Sequence, residues 1–140
     1  MSMSNRLKVS LIFGIAGFLA AFLIFNILHD DRIMSFSAGV ASFITSFFLW
    51  EYLVIRKKHV SVWRCAFVGI LISAGAHPLT WYLTGVLVSI NGEVTRYLTE
   101  GIIAAMVLSI ASLIVVGWLT GILGAIIGII IFKKTSLINK

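Results

Sequence analysis

Few side chains in this sequence can hold or pass a proton away from its ends and turns. The most informative is His77, in the run "GAHPLTWY", beside the only proline, Pro78. On a helix, Ser73, Thr80, Trp81 and Thr84 fall within about 60° of His77 and make one polar ribbon. Pro78 has no N–H and its ring collides with the Ala74 carbonyl, so a bend is expected there. In hydrocarbon, the freed carbonyl needs a protein partner.

Two chemistries suit this ribbon. In the first, the hydroxyls bond back to their own helix and a neutral His77 bonds across to a neighbouring helix. In the second, His77 lines a hydrated path and binds or relays a cation or proton, because ionisable groups inside a membrane are expensive and mark transport routes. The packing reading is preferred. Heme ligation would need an axial partner, and none is evident.

Glu51 is the other candidate. It precedes Arg56 by about one turn and would oppose the dipole at a helix C-terminus. An ion pair with Lys58, Arg64, Lys8 or Lys133 is the preferred reading, and a substrate-facing carboxylate is the second. The run "HDDR" (His29 to Arg32) reads as a solvated turn and not a metal site. There is no HExxH, GxxxxGK[ST] or GxSxG pattern and no cysteine pair, so no enzyme, metal or cofactor is expected.

Composition dictates the scaffold that carries these residues. The chain has 140 residues, 60% hydrophobic and 11% charged, whereas globular chains carry about 25% charged residues. Apart from Glu51, the charge is missing from four blocks, 9–28, 36–55, 65–90 and 102–132, each long enough to cross a core about 30 Å thick. A chain this short cannot cover four all-apolar helices in a soluble core. The blocks also lack the alternation of a membrane barrel. The expected fold is therefore all-α, one domain over 1–140, with four transmembrane helices in an antiparallel bundle. The basic start followed by apolar residues resembles a signal sequence, but no small-x-small cleavage site comes after it, so it reads as an uncleaved first span.

Lys and Arg are retained on the cytoplasmic side during insertion. Arg6 and Lys8, then Arg56, Lys57, Lys58 and Arg64, then Lys133, Lys134 and Lys140 make nine of the eleven basic residues, leaving Arg32 and Arg96 in the other loops. Both termini are expected inside. The net charge of +6 then serves anionic lipid headgroups and not nucleic acid. Trp50, Tyr52 and Trp63 flank the basic loop as an inner aromatic belt. Cys65 reads as apolar filler.

Hydrophobicity cannot join helices in lipid, so small side chains must. Each span offers a seam at a 4-3-4 step. These are Ser10, Gly14, Gly17, Ala21; Ser35, Gly39, Ser42, Ser46; Gly69, Ser73, Ala76, Thr80; and Gly117, Gly121, Gly124, Gly128. The fourth span, about 46 Å long, must tilt, break or protrude. Before it, Val94, Tyr97 and Leu98 suggest a helix along the surface, with Thr99 capping the span.

In size and span number the chain is similar to the small multidrug-resistance exporters, the fluoride channels and the GtrA-type flippases. The exporters' glutamate lies deep in the first span, and here that span has no acid. Nor is there a fluoride-channel signature, so no membership can be assigned. Two functions are expected, in this order. The first is a non-enzymatic structural, regulatory or accessory subunit of a bacterial inner membrane, packing on itself or on a membrane partner through its glycine faces. The second is an oligomeric transporter or channel for a small solute or ion, with His77 and Pro78 at the pathway and Glu51 at its inner mouth. A single set of four helices is expected to leave little interior, so transport would need at least a dimer.

Overall fold

A computed structural model describes the backbone of residues 3–28, 32–56, 60–89 and 94–138, and side chains within 7–24, 32–56, 60–89 and 101–134. The described residues are helical throughout, apart from the chain just before the third span. Helix α1 is Met3–Leu28. Helix α2 is Arg32–Trp50 and continues through a wide π turn, Glu51–Ile55. Helix α3 is Val62–Val88 and passes through Pro78 without interruption. Helix α4, Val94–Ser112, joins α5, Trp118–Ile138, through a second π turn, Leu113–Gly117. Four of these stretches are long and apolar enough to cross a membrane: Leu7–Ile24, Arg32–Ile55, Val62–Val88 and Gly101–Lys134.

The start of α3 has a local cause. Ser61 holds extended backbone and its hydroxyl accepts from the Arg64 N–H at 3.2 Å, which satisfies a donor of the first turn. The fourth span is different from expectation. No separate surface helix precedes it; α4 is already continuous from Val94, and Thr99 lies inside it and not at its cap. Nothing between Val94 and Gly101 breaks a helix, and a glycine costs only about 1 kcal/mol there. The α4–α5 rod therefore extends roughly 67 Å at 1.5 Å per residue, and it is widened at its middle by the π turn.

Helix α1 packs on α2, α2 on α3, and α3 on both α4 and α5, while α1 meets α5 over only a short stretch. Small residues set the closest approaches. A Cβ on Gly69 would fall on the Gly124 carbonyl, and one on Gly124 would fall on the Gly69 carbonyl and the Ser73 hydroxyl. One on Gly128 would fall on the Cys65 carbonyl. On the other side of the molecule, a Cβ on Gly17 would meet the Ser42 hydroxyl, and one on Gly14 would lie 3.1 Å from the Phe43 Cβ and 3.3 Å from the Gly39 carbonyl. As one member of each pairing ascends its helix, the other descends.

The bundle is dense at one end. Val9 and Phe13 of α1, Trp50 and Val54 of α2, Cys65, Val68 and Ile72 of α3, and Ile131 of α5 form one buried cluster. Trp50 is only 3% exposed, with its ring 5.9 Å from that of Phe13. It therefore belongs to the core and not to an interfacial belt. The reason is that the Trp50 position faces α1, whereas Tyr52 and Trp63, at 64% and 84% exposed, face outward. Most of the remaining surface is apolar, with Leu11, Ile15, Leu19 and Leu23 on α1 and Ile103, Val107, Ile110 and Ile114 on the fourth span all exposed.

Candidate functional site

Beyond the dense cluster, the helices separate around a cavity of about 360 Å³. All four spans contribute walls. Phe13, Gly17, Ala20 and Ile24 come from α1, Met34, Ala38 and Ser42 from α2, and Ser73, Ala76, His77, Thr80 and Trp81 from α3. Ser112, Val116, Thr120 and Leu123 come from the fourth span. From Phe13 to Ile24 the cavity extends along roughly 16 Å of α1. Such a hollow inside one chain corrects the expectation of little interior. The small-residue seams draw α1 to α2 and α3 to α5, α2 also packs on α3, and the gap lies between α1 and α5, which meet over only a short stretch.

The polar part of the cavity is built around His77. Its Nδ1 lies 2.8 Å from the Ser112 hydroxyl and its Nε2 lies 3.1 Å from the Thr120 hydroxyl. Trp81 Nε1 donates to the same Ser112 oxygen at 3.1 Å. Each hydroxyl also has a carbonyl of its own helix within reach, Ser109 at 3.0 Å from Ser112 and Gly117 at 3.1 Å from Thr120. One imidazole thus bridges two points of the fourth span.

The π turn makes that bridge possible. Eight steps of regular α-helix would set Ser112 and Thr120 roughly 80° apart around the axis. The wide turn at Leu113–Gly117 absorbs about one extra residue and brings the pair to within roughly 20°. Both hydroxyls then face α3. Ser112 and Thr120 were not among the residues expected from sequence. The available signal was that, with Ser109, they are the only hydroxyls in the apolar block 102–132.

The proton positions can be enumerated. Each hydroxyl has one proton, and a neutral imidazole has one more. In one neutral arrangement His77 donates from Nδ1 to Ser112, Ser112 donates to the Ser109 carbonyl, and Thr120 donates to Nε2. In the other, Ser112 donates to Nδ1, His77 donates from Nε2 to Thr120, and Thr120 donates to the Gly117 carbonyl. If the ring is a cation, both hydroxyls donate to their own helix. Every arrangement uses every polar proton in the cluster. The two neutral arrangements differ in which ring nitrogen carries the proton and in the direction of both hydroxyls.

The remaining expected residues divide into those that join the cavity and those that do not. Ser73 and Thr80 line it, and their hydroxyls donate to the Gly69 carbonyl at 3.1 Å and the Ala76 carbonyl at 2.8 Å. Pro78 and Thr84 lie on the same helix outside the lining, and Thr84 Oγ1 is buried with no hydrogen-bond partner among the described residues. Among the fourth-span glycines, Gly124 lines the cavity and Gly128 packs on Cys65. A Cβ on Gly121 would reach the Ile70 side chain at 3.9 Å, while one on Gly117 would meet only Leu113 of its own helix.

Glu51 is not brought to His77. It lies in the first π turn, where its carboxylate is 3.6 Å from the Arg56 guanidinium. Five α-helical steps would separate these side chains by roughly 140°. The wide turn, closed by the Arg56 N–H on the Glu51 carbonyl at 3.2 Å, lays one over the other, with Arg56 also 5.8 Å from the Tyr52 ring. Arg64, Lys133 and Lys134 are exposed near that end of the bundle, where Lys133 lies close beyond the buried Ile131. Lys57, Lys58 and the turn residues His29, Asp30 and Asp31 lie outside the described residues. Among the described residues no three metal-ligating side chains converge.

Four apolar helices of spanning length around an internal polar cluster define a class, the multi-pass helical proteins of membranes. Compared with known family models, curated proteins and solved structures, the chain matches none.

Proposed function

We propose that this protein is a non-enzymatic multi-pass membrane protein of the bacterial inner membrane that binds a small solute at His77 and moves it within or across the bilayer. The observation that carries the reading is the cavity of about 360 Å³ with His77 fixed in its wall through both ring nitrogens. This volume sits at the lower end of the range for small-molecule sites. The order of the two expected functions is thereby reversed. The glycines that were to hold a partner are largely engaged within the chain, Gly124 with Gly69 and Gly128 with Cys65.

In this reading the helices form an antiparallel bundle with both termini in the cytoplasm. The basic ends meet anionic headgroups, and the Phe13–Trp50 cluster closes the inner end of the cavity. The test is flux in proteoliposomes, tracking protons and small uncharged solutes. Wild-type protein is expected to carry one of these, and His77→Leu is expected to abolish the movement at equal protein levels. Equal flux in wild type and His77→Leu overturns the proposal, as does no flux in either.

A second reading, an accessory subunit or homo-oligomer, is supported by exposed Ala104 and Ala111 on α4, which would let another helix approach closely. Co-purification in mild detergent, with a stable companion or second copy, would favour it.

A further inference from the structure

The chemistry of the His77 wall specifies its ligand more narrowly than the cavity's volume does. At the His77 end the polar groups are His77, Trp81, Ser73, Thr80, Ser112 and Thr120. Ser73 and Thr80 give their protons to carbonyls of their own helix, and Trp81 gives its N–H to Ser112. In each of the three proton arrangements, the protons of His77, Ser112 and Thr120 are used as well. What remains are oxygen lone pairs, including at least one on Thr120. This end of the cavity accepts hydrogen bonds and has none to donate. Ser42, the other hydroxyl in the lining, sits on α2 against Gly17 of α1.

The rest of the wall is apolar, and it contains no Asp, Glu, Lys or Arg among the described residues. A carboxylate would lose its hydration and find no donor, because even a cationic His77 directs both its N–H groups to Ser112 and Thr120. An ammonium would find acceptors but no counter-charge. Either loss exceeds what hydrogen bonds alone return. A ketone, ether or quinone offers only acceptors to an acceptor wall. A hydroxyl supplies the missing donor without a charge.

Access comes from the side. The lining takes in Leu19 and Leu23 of α1 and Leu123 of α5, which are 50%, 63% and 40% exposed, where α1 and α5 barely touch. The cavity therefore opens toward the hydrocarbon between those helices, so its occupant is one dissolved in the bilayer. At about 30 Å³ per water-sized unit, the cavity holds about a dozen non-hydrogen atoms.

We infer that the cavity binds an uncharged, medium-chain aliphatic alcohol taken laterally from the membrane, with its hydroxyl donating to Thr120 Oγ1 beside His77 and its chain along the α1 wall. This rests on the solute-binding reading and names the solute's class.

The test uses the full-length protein in liposomes with a decan-1-ol analogue carrying a diazirine in its chain. After illumination, the labelled residues are mapped by mass spectrometry. Competition is measured with decan-1-ol, decyl methyl ether and decanoate. Labelling is expected on the cavity walls of α1 and α3, with the alcohol competing about tenfold better than the ether or the carboxylate, as one hydrogen bond would give. Thr120→Val is expected to erase that preference while leaving cavity labelling in place. If this variant does not accumulate, the wild-type competition series decides alone. Cavity labelling with equal competition by alcohol and ether overturns the alcohol inference and leaves the solute site standing. Labelling confined to the outer surface overturns both.

Discussion

Ser112 is the hub of the His77 cluster, since its single oxygen meets the imidazole, the Trp81 indole and the Ser109 carbonyl. Ser112→Ala therefore leaves two nitrogens without a partner. Thr120→Val removes one contact between helices, from Nε2, and one within its own helix, to the Gly117 carbonyl, and conserves shape. Hydrogen bonds between membrane helices contribute about 0.6 kcal/mol on average and up to about 1.7. Ser112→Ala is expected to lower stability by about 1–2 kcal/mol, and Thr120→Val by less than half as much. Reversible unfolding in mixed micelles measures both. Equal losses would show that Trp81 has another partner once Ser112 is gone. The polar ribbon on α3 was legible from 3.6-residue periodicity alone. Its partners were not, because which residue of another helix meets an imidazole depends on the relative rotation of two helices.

At the scale of elements, two π turns perform the same operation in different places. Each takes up a residue and rotates the next stretch of helix, placing Arg56 over Glu51 and Thr120 in line with Ser112. Seam glycines then decide how closely the rotated helices approach. In water, Gly→Ala in a helix gains about 1 kcal/mol from propensity, so the sign of each substitution depends on what the new methyl meets. At Gly124 it meets the Gly69 backbone, which cannot yield without moving α3. At Gly117 it meets only Leu113 of its own helix: the Cδ2, 2.9 Å away, can turn aside, and the Cβ at 3.3 Å needs a shift of a few tenths of an ångström. Gly124→Ala is expected to cost about 1–3 kcal/mol or more from overpacking, and Gly117→Ala to be neutral or slightly stabilising. Thermal unfolding in detergent separates the two cases. Both glycines fall on one sequence pattern, and the sequence does not distinguish them. The wide turn between Leu113 and Gly117 changes the phase of the helix and turns Gly117 away from the α3 seam.

For the whole molecule, the arrangement is asymmetric from end to end. The half containing Phe13, Trp50, Cys65 and Ile131 is solid, while the other half is hollow and opens sideways near Leu19 and Leu23. Combined with the distribution of Lys and Arg, this assigns the solid end to the cytoplasmic face in the proposed topology. Reporter fusions at the residue-60 turn and at the C-terminus are expected to be active only as cytoplasmic reporters. A fusion within 90–93 is expected to be active only as an external one. The reverse pattern would invert the molecule and place the solid end outside. It would leave the cavity's chemistry untouched, since that depends on internal contacts alone.

Composition and periodicity were sufficient for four apolar helices, for the ribbon around His77 and for the small residues that allow close packing. Each is a property of a single helix and needs no knowledge of its neighbours. The cavity, the two fourth-span hydroxyls that hold His77, the inward turn of Trp50 and the separate fates of Gly117 and Gly124 were settled only by tertiary structure. They depend on how far one helix is rotated and displaced against another. In this chain a pair of wide turns sets those rotations, and nothing in the hydrophobic pattern marks where such turns fall.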